Sequence, residues 1–183
     1  MHIIGHFRTI THHRHAVIAH CMKCGIGRQG LLHDLSKYSP AEFFRGCKYY
    51  TGVHSPNEDE RREKGYSDAW MHHKGRNKHH FEYWVDVSPL THLYAPVKMP
   101  FRYLVEMFCD RVAASKTYGG KNYRDDSALL YFKRGRARDQ MHPDTASQLE
   151  KLLTMLAEKG EKETFSYIRA QVKRLKKSPF DYS

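Results

Sequence analysis

Histidines that stand next to aspartate, or next to one another, are the chemically distinctive feature of this chain. The stretch Leu31-Leu32-His33-Asp34-Leu35-Ser36-Lys37 sets an imidazole beside a carboxylate, with a lysine three residues past the aspartate. On a helix, neighbouring side chains diverge by about 100°, so His33 and Asp34 can both reach one ion at a helix edge. The three leucines are expected to anchor that turn in a core. Imidazole nitrogen and carboxylate oxygen together suit Zn, Mn or Fe(II) and suit a thiolate-preferring ion poorly. Two ligands do not hold such an ion, so the rest of the chain must supply more.

It offers several. Ile10 to Gly25 has the pattern of a helix ended by glycine, with Val17, Cys21 and Cys24 on one stripe. His13 lies one turn before Val17 and is therefore aimed at the core side. His15 points about 160° away from His13. With His12 and His20, it reads as a surface histidine. Further on, His72-His73 and His79-His80 are two pairs seven residues apart, with Lys74, Arg76 and Lys78 between them. Gly75 and Asn77 predict a break there, so that one pair ends a helix and the other starts the next. Apolar Trp70, Met71, Phe81 and Trp84 flank both pairs, and either geometry converges two to four imidazoles on one pocket. Asp110 sits in a strong amphipathic helix that begins after Pro100 and carries Phe101, Leu104, Val105, Phe108, Val112 and Ala113 at helical spacing. The alternative role for Asp110 is a surface carboxylate paired with Arg111 or Lys116. Cys21-x-x-Cys24 lacks the second pair that a zinc site wants, and Cys47 and Cys109 are isolated, so all four read as buried thiols.

In chain order these residues are His13, His33-Asp34, a histidine from 72–73, His79-His80 and Asp110. The order H…HD…D resembles the HD superfamily of metal-dependent phosphohydrolases, and the intervening histidines resemble its longer form, H…HD…H…HH…D, which holds two metals. The resemblance spans about residues 10–118. Beyond it, the segments from Gln29 to Pro40 and from Ala69 to His80 resemble an uncharacterised family of small HD-like proteins, catalogued as a domain of unknown function. The resemblance implies an all-α, HD-domain-like bundle, one or two divalent ions (Mn, Fe, Co, Ni, Zn or Mg) and hydrolysis of a phosphoester. It implies metal ligands drawn from His13, His33, Asp34, His72, His73, His79, His80 and Asp110. No Gly-Tyr-Pro follows a His-His pair, so a cyclic dinucleotide substrate is not implied.

The chemistry also follows from the residues. A divalent ion acidifies water and takes charge from phosphoryl oxygens, and Lys37, Lys74, Arg76 and Lys78 are cations placed in sequence to assist with the phosphate. Asp34 is open to three tasks, which are proton acceptor, ligand or bridge between two ions, and Lys37 is its catalytic companion.

The elements that must position these groups are helical. Ser39-Pro40-Ala41-Glu42 reads as a capping box opening a helix to about Tyr50. Residues 51–65 read as a polar loop with a short solvated helix, and 85–100 as an extended, proline-rich connector. A short helix is expected between Tyr123 and Gly135, followed by a basic loop, and an αα-hairpin about Gly160 over residues 142–177. The expectation is a single domain, 1–183, of about six to eight helices. The net charge of +11 favours anionic partners, namely a phosphorylated small molecule such as a nucleotide, or nucleic acid. The alternative function is therefore a basic, non-catalytic metal-binding protein that binds nucleic acid or regulates. Without a signal-peptide pattern or an apolar run near 18 residues, a cytoplasmic protein away from membranes is expected.

Overall fold

The computed structural model describes residues 1–177, and among them the chain is all-α apart from one small hairpin. The α-helices are α1 Ile3–Cys24, α2 Gly27–Leu31, α3 Pro40–Tyr49, α4 Pro56–Lys64, α5 Asp68–Lys74, α6 Phe101–Gly119, α7 Ser127–Arg134, α8 Ala137–Gln140 and α9 Pro143–Leu175. Helices α1 and α6 pack together, and α9 lies across both. Val17, Leu104, Phe108, Val112, Leu149, Leu153 and Ile168 form one continuous core, each worth about 1.5–3 kcal/mol when fully buried.

Helix α1 begins at Ile3, earlier than the periodicity indicates, because His6 joins the buried stripe of Ile10, His13, Val17, Cys21 and Cys24. His20 is buried as well, against the surface reading, because seven residues are nearly two turns and return it to within about 20° of His13. The second half of α9 covers that face, with Phe165 stacked on the His20 ring at 5.2 Å between centroids. The cysteines are all free and buried.

The His33-Asp34 segment departs most from expectation. The α2 helix ends at Leu31, His33 lies in a turn, and Asp34 takes the left-handed conformation (φ 54°) before a 3₁₀ turn over Leu35–Tyr38. The leucines do not anchor it, since Leu31, Leu32 and Leu35 are 50%, 69% and 48% exposed. Two other contacts do. Gly30 presses on α1 so closely that a Cβ there would lie 2.5 Å from Cys21 Cβ, and Arg14 donates to the carbonyls of Leu31 and His33.

Ser39 precedes α3, yet its hydroxyl caps nothing, and Glu42 turns inward instead of back to the helix end. The break between the histidine pairs falls at Gly75, with α5 ending at Lys74 and a 3₁₀ turn starting at Phe81. The proline-rich connector contains antiparallel strands β1 (Val85–Val87) and β2 (Tyr94–Pro96), paired Val85 to Pro96. Part of the expected basic loop is helical, as α8. At Gly160 the backbone leaves helical values (φ 74°, ψ 176°), and Lys151 Nζ lies 5.8 Å from the Tyr167 ring centre, so the two halves of α9 fold back on each other. Sixteen residues of straight helix would separate those positions by about 24 Å. No described helix is long and apolar enough to cross a membrane.

Candidate metal centre

Four elements converge on the His33-Asp34 turn. From α1 comes His13, whose Nε2 is 2.9 Å from Asp110 Oδ1 on α6. His33 Nε2 lies 3.3 Å from Asp34 Oδ2 and 3.6 Å from Asp110 Oδ1. The other Asp34 oxygen faces the histidine pairs, at 3.2 Å from His73 Nε2 and 3.4 Å from His79 Nε2. His80 Nε2 completes this second group, 2.9 Å from His73 Nε2. Two four-donor sets result, His13-His33-Asp34-Asp110 and Asp34-His73-His79-His80, each with its donor atoms within 4.8 Å of one another. Asp34 belongs to both, and the left-handed turn gives each of its oxygens a different set to face.

The donors fit divalent cations. His33 Nε2, His79 Nε2 and both Asp34 oxygens are buried and make no hydrogen bond, which is costly for polar atoms unless something else satisfies them. Lys37 Nζ approaches Asp34 Oδ2 at 2.6 Å as an ion pair, without hydrogen-bond alignment. Two imidazole lone pairs 2.9 Å apart, as in His73 and His80, require a proton or a cation between them. Burial, reinforced by His79 and His73, drives the pKa of His80 well below its ordinary value, leaving a neutral imidazole ready to ligate. Burial alone would raise the pKa values of Asp34 and Asp110, but neighbouring histidines outweigh it, with Lys37 adding its pull on Asp34, and hold both carboxyls well below the usual range.

Behind the donors stand two carboxylates that the sequence reading missed. Glu106 Oε1 accepts from Nδ1 of both His33 (2.9 Å) and His79 (3.2 Å), one histidine from each set. Its other oxygen accepts from Gln29. Glu42 Oε2 accepts from His73 Nδ1 at 2.7 Å. An Nδ1–H held by a carboxylate fixes the ring so that Nε2 is the atom turned to the donor set. An ion there would displace the proton that the nearby carboxylates, against the effect of burial, otherwise favour on His33 and His73. Burial opposes ionisation of Glu106, yet the hydrogen bonds from His33 and His79 prevail and bring its pKa down to about 2. Glu106 was visible as a charge four residues before Asp110, inside the apolar run around Phe108. Glu42 was hidden by its apparent fit to a capping box.

Of the residues singled out by sequence, His13, His33, Asp34, His73, His79, His80, Asp110 and Lys37 come together. His72 does not join a donor set, since its Nδ1 pairs with Glu42 Oε1 at 2.6 Å. A cavity of about 500 Å³ opens on the cluster, lined by His13, His73, His80, Asp110 and Lys37 among others. Lys74, Arg76 and Lys78 take no part in its wall. Arg76 instead reaches the His72 carbonyl, and Lys78 lies over the Tyr83 and Tyr103 rings. Past the helix break at Gly75, Arg76 and Lys78 are exposed, and Lys74 is half-buried outside the cavity wall. The cation that does line the cavity, besides Lys37, is Arg111.

Residues 2–155 match a family of unknown function, DUF5662. The chain belongs to this family. Comparison with curated proteins and with solved structures gives no match.

Proposed function

We propose that this protein is a metal-dependent phosphohydrolase acting on a phosphoester, a nucleotide or a related phosphorylated metabolite. The observation that carries the reading is the pair of donor sets sharing Asp34, whose members His13, Asp110, His73 and His80 line a cavity that also presents Lys37. The chain order of the donors, which resembles H…HD…H…HH…D of the HD phosphohydrolases, supports it further. When bound, divalent ions at these positions supply acidified water and charge neutralisation for phosphoryl oxygens.

The chain's own residues have distinct tasks in this reading. Asp34 bridges the two sets, while Glu42 and Glu106 hold His73, His33 and His79 in the ligating tautomer. Lys37, whose ammonium is kept charged by Asp34 against the effect of burial, faces the cavity and takes a phosphoryl oxygen. Arg111 lines the same cavity.

The test is a screen of phosphomonoesters and phosphodiesters with protein stripped of metal and reloaded separately with Mn, Fe, Co, Ni, Mg or Zn. Phosphate release that requires an added ion and disappears in Asp34→Asn is the expected result. A protein that binds metal yet turns over nothing in the panel would overturn the reading in favour of a non-catalytic metal protein.

A further inference from the structure

The cavity extends beyond the metal donors, and its remaining wall carries two charged groups that the fold leaves unsatisfied. Arg111 Nε and Glu82 Oε2 are buried, and neither makes a hydrogen bond. Both line the cavity. They are close enough for each to feel the other's charge, yet they form no salt bridge among the described residues. Polar atoms buried in this way without hydrogen bonds cost the fold stability. Such an arrangement is maintained where a ligand fits between them.

The walls around the pair are aromatic. Phe81, Tyr118 and Tyr131 line the same cavity, with Tyr118 and Tyr131 exposed at its rim. Trp70 also contributes, but its ring already lies between Arg61 and His73, so it bounds the cavity without offering a free face. The volume of about 500 Å³ is within the range of small-molecule sites and suits a ligand of mononucleotide size.

We infer that Arg111 and Glu82 form the specificity subsite of this cavity, reading the donor-and-acceptor edge of a nucleobase whose phosphate lies at the metal donors. This rests on the phosphohydrolase reading above and narrows its substrate to nucleoside monophosphates. Arg111 presents only donors, suited to ring nitrogens and exocyclic oxygens, while Glu82 accepts from exocyclic amino and ring N–H groups. A planar base carries both kinds of group on one edge, and an aliphatic phosphoester does not. A second phosphate at Arg111 is the competing occupant. Glu82 opposes it, because a dianion placed there would face a carboxylate.

Binding of nucleosides without phosphate tests this independently of turnover. Adenosine, guanosine, cytidine and uridine are titrated calorimetrically into the full chain, with ribose and pyrophosphate as controls. At least one nucleoside is expected to bind and ribose not to. Glu82→Gln and Arg111→Met should each weaken that binding tenfold or more, and Arg111→Lys should weaken it too, since the fork is lost while the charge stays. Neither group has a salt bridge to lose among the described residues, although Arg111→Met also gives up the guanidinium's contact with the Phe132 ring at 5.6 Å. Melting curves therefore check that each variant is folded before its binding is compared. The inference is overturned if no nucleoside binds, or if binding is unaffected by either substitution. Pyrophosphate binding that depends on Arg111 and not on Glu82 would overturn it in favour of a second anion site. Nucleoside binding without any phosphate release would leave the subsite standing and sink only the phosphohydrolase reading. Hydrolysis of phosphoesters without nucleoside binding would do the reverse.

Discussion

Glu106 offers a sharp test of how the donor sets are organised, because one carboxylate oxygen holds a histidine from each. Replacing it with leucine removes the acceptor and leaves the Nδ1–H groups of His33 and His79 buried without partners. Each ring is then free to rotate or to move its proton to Nε2, which spoils the lone pair that ligates. Loss of such an outer carboxylate typically costs 10–100-fold in metal affinity, and two ligands respond here, so about 100-fold is expected for Glu106→Leu. Glu106→Gln should be milder, about 10-fold, because its amide oxygen still accepts from both rings. The amide nitrogen, however, then meets Gln29 Nε2, itself a donor to the Arg102 carbonyl, so Gln29 must turn over. Competition titrations with a chromophoric chelator measure both affinities, and melting curves check folding. Equal affinity for wild type and Glu106→Leu, with folding intact, would refute the claim that Glu106 sets the tautomers.

Two further outcomes follow from particular contacts. His73→Ala should lower bound metal while His72→Ala leaves it unchanged, as elemental analysis would show, since only His73 faces Asp34. The pH dependence of stability should carry a signature of His6, whose pKa burial, aided by Lys37, lowers from 6.5 to about 4. The unfolded chain takes up this proton below about pH 6.5 and the folded one resists until about pH 4, so stability falls as pH drops through that window. The loss is about 3 kcal/mol at most. His33 and His73 are displaced the other way, so the comparison of wild type with His6→Gln isolates the effect. Denaturant midpoints from pH 7 to 4.5 should decline less in His6→Gln, and identical declines would count against it.

Helical periodicity made α1 and α6 legible, and with them the positions of His13 and Asp110, because an apolar stripe states which face turns inward. The glycine at the break between the histidine pairs was equally readable. The His33-Asp34 turn was not. A left-handed aspartate has no periodic signature, and the neighbouring leucines suggested a buried helix that the structure does not contain. Glu42 and Glu106 were missed for a related reason, since a carboxylate that serves a histidine from across the fold looks locally like a cap or a stray charge. The same limit applied to the cations. Sequence proximity favoured Lys74, Arg76 and Lys78, whereas the cavity is faced by Lys37 and Arg111, brought there by the turn after α2 and by α6.

If two divalent ions share Asp34, as the two donor sets imply, metal stoichiometry will show it. Protein stripped of metal and titrated with Mn or Zn, then freed of excess and analysed for metal per chain, should hold two ions. Asp34→Asn should lose both, and His79→Ala with His80→Ala should retain one. Wild type that holds fewer than two ions, or an Asp34→Asn variant that still binds two, would show that Asp34 does not bridge a pair of ions.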